Sequence, residues 1–270
     1  MSQYIHGTDP EEQKRLTLLN TVLLNDACLK ELALSGGEKI LDVGSGLGQF
    51  SRAMARQAKG DVLGIERSRD QIEEAIRQAK TDHEEELIEF REGDAGKLPL
   101  HDGEWGMFDV AFTRFLLEHV SDPLRVVKQM VKAVKKRGRV VLADDDHDVL
   151  RLHPEISGFA DLWSAYMQTY SKLGNDPVIG RKLVSLLHEA GAVPARNTWI
   201  FFGSNKGEER FDIYVNNLIG VIEGAKAEII KQELFEEKKF DDVISSFHGW
   251  REQPDATLWY AVSWAEGIKK

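Results

Sequence analysis

Short apolar runs alternate with amphipathic stretches along the first half of this chain. The runs fall at 39–43, 61–66, 87–91, 108–113 and 138–143 and are rich in Val, Ile, Leu and Phe. At that length and composition each predicts a buried strand. Between them, Leu47, Phe50 and Met54 recur at helical spacing, a polar helix fits 70–80, and Asp122-Pro123 opens another running to 137. Ahead of the first strand, Leu16, Leu19, Leu23 and Leu24 predict an amphipathic helix that runs through about Leu34 and stops at Ser35-Gly36-Gly37. Thr8 or Asp9 would cap it, with Pro10 and two glutamates in its first turn. In the second half helical patterns dominate, over 156–173, 179–190 and a long stretch at 208–247. Two β-branched and aromatic runs, 195–203 and 257–265, break that pattern. They fit the last two strands of a sheet, paired antiparallel with an insertion between them. The alternation of strands and helices calls for a parallel core.

The chemistry concentrates in KILDVGSGLGQF, residues 39–50. A strand ends on Asp42 and runs into Gly44, Gly46 and Gly48, after which a helix begins. Glycines let a ligand approach the backbone closely and turn the chain tightly, so this is the start of a nucleotide-binding α/β unit. The spacing is G-x-G-x-G, and the third glycine of the dinucleotide fingerprint would fall at Gln49. A glutamine there suits a nucleoside without a diphosphate better than a dinucleotide.

ILDVGSGLGQF resembles motif I of the Rossmann-like, class I S-adenosylmethionine (SAM) methyltransferases, and the strand ends that follow extend the resemblance. It implies a Rossmann-like, doubly wound, seven-stranded and mostly parallel sheet with an antiparallel last strand, and a helical insertion or cap in the C-terminal half. It implies SAM as cofactor and methyl transfer to a small-molecule acceptor. Glu66, at the end of the second strand, would hold the ribose hydroxyls. Asp94 would accept from the adenine amine, and the Ala95 amide would meet a ring nitrogen. Asp42, Gly44, Ser45, Gly46, Gly48, Arg67, Arg114 and Phe115 would complete the cofactor site. The opening segment with Tyr4 and His6 is similar to one that folds over the cofactor in some relatives, and as a plain reading it is a solvated helix lead-in. The family usually carries Lys-Pro-Gly-Gly before the fifth strand; Lys136-Arg137-Gly138-Arg139 keeps one glycine.

In-line transfer of a methyl group needs alignment of the two reactants above all, and a base only for an ionisable acceptor. His119 and His147 are the candidate bases. Asp144-Asp145-Asp146-His147-Asp148 offers ligands of metal type, but no second cluster stands at helix spacing and no metal ligand is assigned; a substrate-facing acid and plain loop polarity are the other readings. Trp163, Tyr166 and Tyr170 share a helix face that fits either core or the wall of an acceptor pocket.

Composition narrows the field further. At 270 residues, with 42% hydrophobic and 30% charged positions, the chain reads as one methyltransferase domain: a lid and helix at 1–35, a SAM-binding core at 36–150, and acceptor-side helices with the last two strands at 151–270. A net charge of −10 argues against a nucleic-acid face; the basic run 132–139 fits a solvated helix end. There is no apolar span for membrane insertion and no secretory signal, and one cysteine, Cys28, excludes an internal disulfide. The expected location is therefore cytoplasmic; oligomeric state is left open. Two rivals stand beside the methyltransferase reading: a nicotinamide-dependent oxidoreductase, which needs the glycine that Gln49 replaces, and a non-catalytic SAM-binding protein.

Overall fold

A computed structural model describes residues 24–270, so Tyr4, His6 and the expected start of the first helix lie outside the described residues. The described part of that helix is α1 (Asn25–Leu32), closed by Ala33 in the left-handed conformation. The α/β alternation follows: β1 (Ile40–Val43), α2 (Gln49–Ala58), β2 (Val62–Glu66), α3 (Arg69–Thr81), β3 (Ile88–Glu92), β4 (Phe108–Arg114), α4 (Pro123–Ala133) and β5 (Val134–Asp145). A short β6 (Arg151–His153) leads into α5 (Phe159–Lys172), α6 (Leu183–Glu189) and β7 (Ala192–Asn205). Three helices, α7 (Phe211–Gly224), α8 (Lys226–Lys231) and α9 (Glu237–Trp250), precede the last strand β8 (Thr257–Lys269).

The sheet runs β3-β2-β1-β4-β5-β8, with β7 on the far side of β8. Pairing is parallel from β3 to β5, with Ile40 opposite Val62 on one side and Val110 on the other. β8 is antiparallel to both β5 and β7, the expected hairpin with a helical insertion. The sheet has eight strands rather than seven, because β6 pairs with the start of β8 beyond the point where β5 leaves it.

Every residue of β1 is buried, as a central parallel strand covered on both faces requires. Alternate residues feed two cores. Phe112 and Val110 of β4 face α1, α2 and the cap helices, whereas Phe108 and Ala111 face α4 and α6. The cap helices α5, α7 and α9 pack through Phe159, Phe211, Phe247 and Trp250 and roof the carboxyl ends of the strands.

The fourth helix stops at Ala133, short of the expected 137. Val134 already pairs with Phe108, and the ladder then jumps to Val110 opposite Arg139. The intervening residues bulge, with Arg137 at φ 65° in place of the missing second glycine. The basic run is accordingly dispersed: Lys132 lies 3.9 Å over the Trp105 ring, Lys135 pairs with Asp109, and Arg139 donates to the Leu32 carbonyl. The helix-end carbonyls of Lys132 and Val134 are met by Lys269 instead.

Candidate active site

A single cavity of about 580 Å³ opens at the carboxyl ends of β1, β2 and β4 and continues beneath the cap. Its first end is backbone. The Gly44 and Ser45 amides donate to the Ile65 carbonyl at 2.8 and 3.0 Å, which ties the loop after β1 to β2. Gly44, Gly46 and Gly48 have φ of 80°, 53° and 68°, a region where side chains other than glycine are strained. Their surroundings differ. A Cβ on Gly48 would lie 2.2 Å from Phe90, so that glycine lets α2 pack on β3. A Cβ on Gly46 would meet nothing closer than Gln71 Oε1 at 3.4 Å, leaving a cradle open toward the cavity. The Ser45 hydroxyl in the same loop is buried without a hydrogen-bond partner among the described residues.

Glu66 sits across the loop. Its Oε2 accepts from the Gly46 amide at 3.1 Å, and its Oε1 accepts from the Arg67 and Ser68 amides at 2.8 Å each. One lone pair of Oε2 stays available toward the cavity. Asp42 lies below, buried, accepting from the Ser51 hydroxyl, and burial raises its carboxyl to about 6. Asp94 holds the Gly96 amide at 2.8 Å and lines the cavity with Ala95 and Arg67. Arg114 stacks 4.4 Å over Phe50 and donates to Asn25 at 3.1 Å and to Cys28 at 3.4 Å, joining the end of β4 to α1. Phe115 adopts φ 53°, held by its amide bond to the Ala143 carbonyl, and that kink throws 115–119 across the cavity wall. Gln49, where a dinucleotide loop has its third glycine, opens α2 and donates to Gln78 at 3.0 Å.

The other end is acidic and aromatic. Glu118, 3% exposed, contacts His147 Nε2 at 3.2 Å and His119 Nε2 at 3.3 Å through its two oxygens. His147 Nδ1 meets the Tyr260 hydroxyl at 3.0 Å. Either Tyr260 donates to Nδ1 and Nε2–H donates to Glu118, or protonated Glu118 donates to Nε2 and Nδ1–H donates to Tyr260. Both arrangements keep the ring neutral and engage both nitrogens, and burial pulls its proton affinity down. His147 therefore lacks the free nitrogen that a direct base would present; it passes a proton only along that chain. His119 stacks on Tyr170 at 5.7 Å. Burial, with Asp176 nearby, pushes Glu118 up to about 8, and burial beside Glu118 pushes Asp145 up to about 7. Asp144 is wholly buried, takes the Leu117 and Asp145 amides, and is also pushed up. Asp146 is clamped by Arg181 through two 2.7 Å bonds, so it is structural.

Trp163, Tyr166 and Tyr170 line the cavity around His147, with ring centroids 5.4–5.6 Å from the imidazole. The three rings are buried and form part of the cavity wall. The sequence reading missed Glu118 and Tyr260 as members of this cluster. Their only local signal was Glu118 beside a candidate histidine and an aromatic in the last strand.

Residues 41–142 match the family model described as "Methyltransferase domain". Over this segment the chain is similar to methyltransferase domains, and its sheet has their Rossmann-like form. The chain is 32% identical over 139 residues to the 27-O-demethylrifamycin SV methyltransferase of Amycolatopsis mediterranei, covering 52% of this chain and 50% of that protein. It is 29% identical over 175 residues to the demethylmenaquinone methyltransferase of Bacillus licheniformis, covering 62% and 70%. The fold is shared with the phosphoethanolamine N-methyltransferase 2 of Haemonchus contortus in complex with SAM, at a TM-score of 0.54, 18% identity, and coverage of 91% of this chain and 52% of that one. The chain spans about half the length of the first curated relatives it matches. No helix among the described residues is long and apolar enough to cross a membrane.

Proposed function

We propose that this chain binds SAM at the glycine end of the cavity and transfers its methyl group to a small molecule held at the aromatic end. The observation that carries this reading is continuity: one cavity joins the glycine loop to the buried acid and aromatic cluster. When bound, SAM supplies a methyl carbon activated by the sulfonium. The residues present fit it. Gly46 leaves room for the methionyl part, and Glu66 retains an acceptor site for a ribose hydroxyl. Asp94 and Ala95 line the same cavity and would take the adenine, with Asp42, Arg67, Arg114 and Phe115 shaping the rest of that end. The protein's own contribution is alignment and exclusion of water, because the cap and the kinked segment 115–119 enclose the junction. Proton removal from the acceptor falls to the Glu118–His147–Tyr260 chain or to Asp145 rather than to a free imidazole.

Calorimetry of the full chain with SAM, followed by S-adenosylhomocysteine release against a panel of amines, alcohols, phenols and carbon acids, tests the reading. Absence of SAM binding would overturn it. SAM binding with no release for any acceptor would leave a SAM-binding protein in place of an enzyme.

A further inference from the structure

The acidic end of the cavity holds two carboxyls, Glu118 and Asp145, that no Lys or Arg among the described residues pairs with. Asp145 lines the cavity, and its Oδ1 is enclosed yet accepts no hydrogen bond among the described residues. Glu118 lies beside it with only the two histidines as ionic partners among the described residues. Two cations on the segment that follows are engaged with other acids: Arg181 with Asp146 and Asp148, and Lys182 with Asp176. Facing these carboxyls are the rings of Trp163, Tyr166, Tyr170 and Tyr260, all on the cavity wall. Ring faces attract cations, and most strongly where water is excluded. Beside a neutral hydroxyl both acids would keep their protons, whereas a cation docked there lets them ionise and pair with it.

Building on the methyl-transfer reading, we propose that the acceptor is a protonated amine, primary to tertiary, held as an ammonium between the Asp145 and Glu118 carboxylates and the four aromatic rings. Docking supplies the cation the site lacks. The ammonium proton then passes to Asp145 Oδ1, which leaves a neutral amine carrying its lone pair and a protonated carboxyl. The raised proton affinity of Asp145 suits it to that transfer. A divalent metal is the competing occupant, since donor atoms of Glu118, Asp145 and His147 lie within 4.8 Å of one another. It fits less well, because both nitrogens of His147 are already engaged and a metal would have to break one of those bonds.

The test is calorimetry on the full chain saturated with S-adenosylhomocysteine, using choline and its neutral carbon isostere 3,3-dimethylbutan-1-ol as probes. Choline is expected to bind about tenfold tighter or more. Asp145→Asn is expected to remove most of that preference while S-adenosylhomocysteine still binds as in wild type, which also reports that the variant is folded. Equal affinity of the two probes in wild type, a comparison that needs no variant, would overturn the inference. So would an unchanged preference in Asp145→Asn. Binding of Mn²⁺ without binding of choline would overturn it in favour of a metal site. Because S-adenosylhomocysteine binding is measured separately, loss of the amine inference leaves the methyl-transfer reading standing.

Discussion

At the glycine end of the cavity, one short run of chain between Asp42 and Phe50 lines the wall, with Glu66 and Asp94 added from the next two strand ends. At the aromatic end, Glu118, the Asp145–His147 pair, Trp163 and Tyr260 come from four separate places along the chain. The first end works mainly through backbone amides and unusual φ angles, the second through side-chain charge and ring faces. A donor common to a family can be held by backbone geometry that tolerates many sequences. An acceptor particular to one protein must be recognised by side chains, and these gather only when the cap closes over the sheet.

The comparison breaks first at Gly46. Gly46→Val places a branched side chain in a left-handed backbone and fills the cradle, so SAM titration should vanish while the aromatic end is untouched. Wild-type affinity in this variant would move the donor away from the loop. Within the same motif, Gly48→Ala should act on packing rather than on ligand. Its Cβ would strike Phe90, and overpacking costs about 1–3 kcal/mol. Chemical denaturation should show that loss, with SAM affinity of the folded protein falling far less than in Gly46→Val. Glu66→Ala should weaken SAM by about 1.5–3 kcal/mol, the range for a hydrogen bond to a charged group. An unchanged dissociation constant in calorimetry would remove Glu66 from the donor end.

The smallest effect belongs to the acidic end and appears as a pH slope. Glu118 ionises near 4.5 when unfolded and near 8 when folded. Between those values the native chain keeps a proton that the unfolded chain has lost. The stability it contributes is thus full below about 4.5 and is lost as pH rises through about 8. Glu118→Gln should flatten this part of the profile in melts taken from pH 5 to 8.5. A variant profile parallel to that of wild type would mean that Glu118 is not the buried group responsible.

Much of the sheet and of the glycine end of the cavity was legible from local pattern. Short apolar runs ending in glycine or acid predict strands and their carboxyl-end loops, and a glycine loop of this kind is written in neighbouring residues because backbone geometry is local. The same locality explains the misplaced end of α4: nothing near Val134 announces that it pairs with Phe108, a contact made across the sheet. The eighth strand was invisible for the same reason, since 151–153 is too short to show periodicity and exists only because β8 offers a free edge there.

By itself the sequence determined the α/β alternation, the glycine loop and the acids at the strand ends. Each depends on spacing within a few residues, through hydrogen-bonding geometry and side-chain period. Tertiary structure alone decided which glycine faces open cavity and which faces Phe90, and that His147 is neutral and engaged at both nitrogens. It also decided that Glu118 and Asp145 share one water-poor pocket. Burial and charge proximity are sums over distant parts of the chain, so they take their values only once the fold has closed.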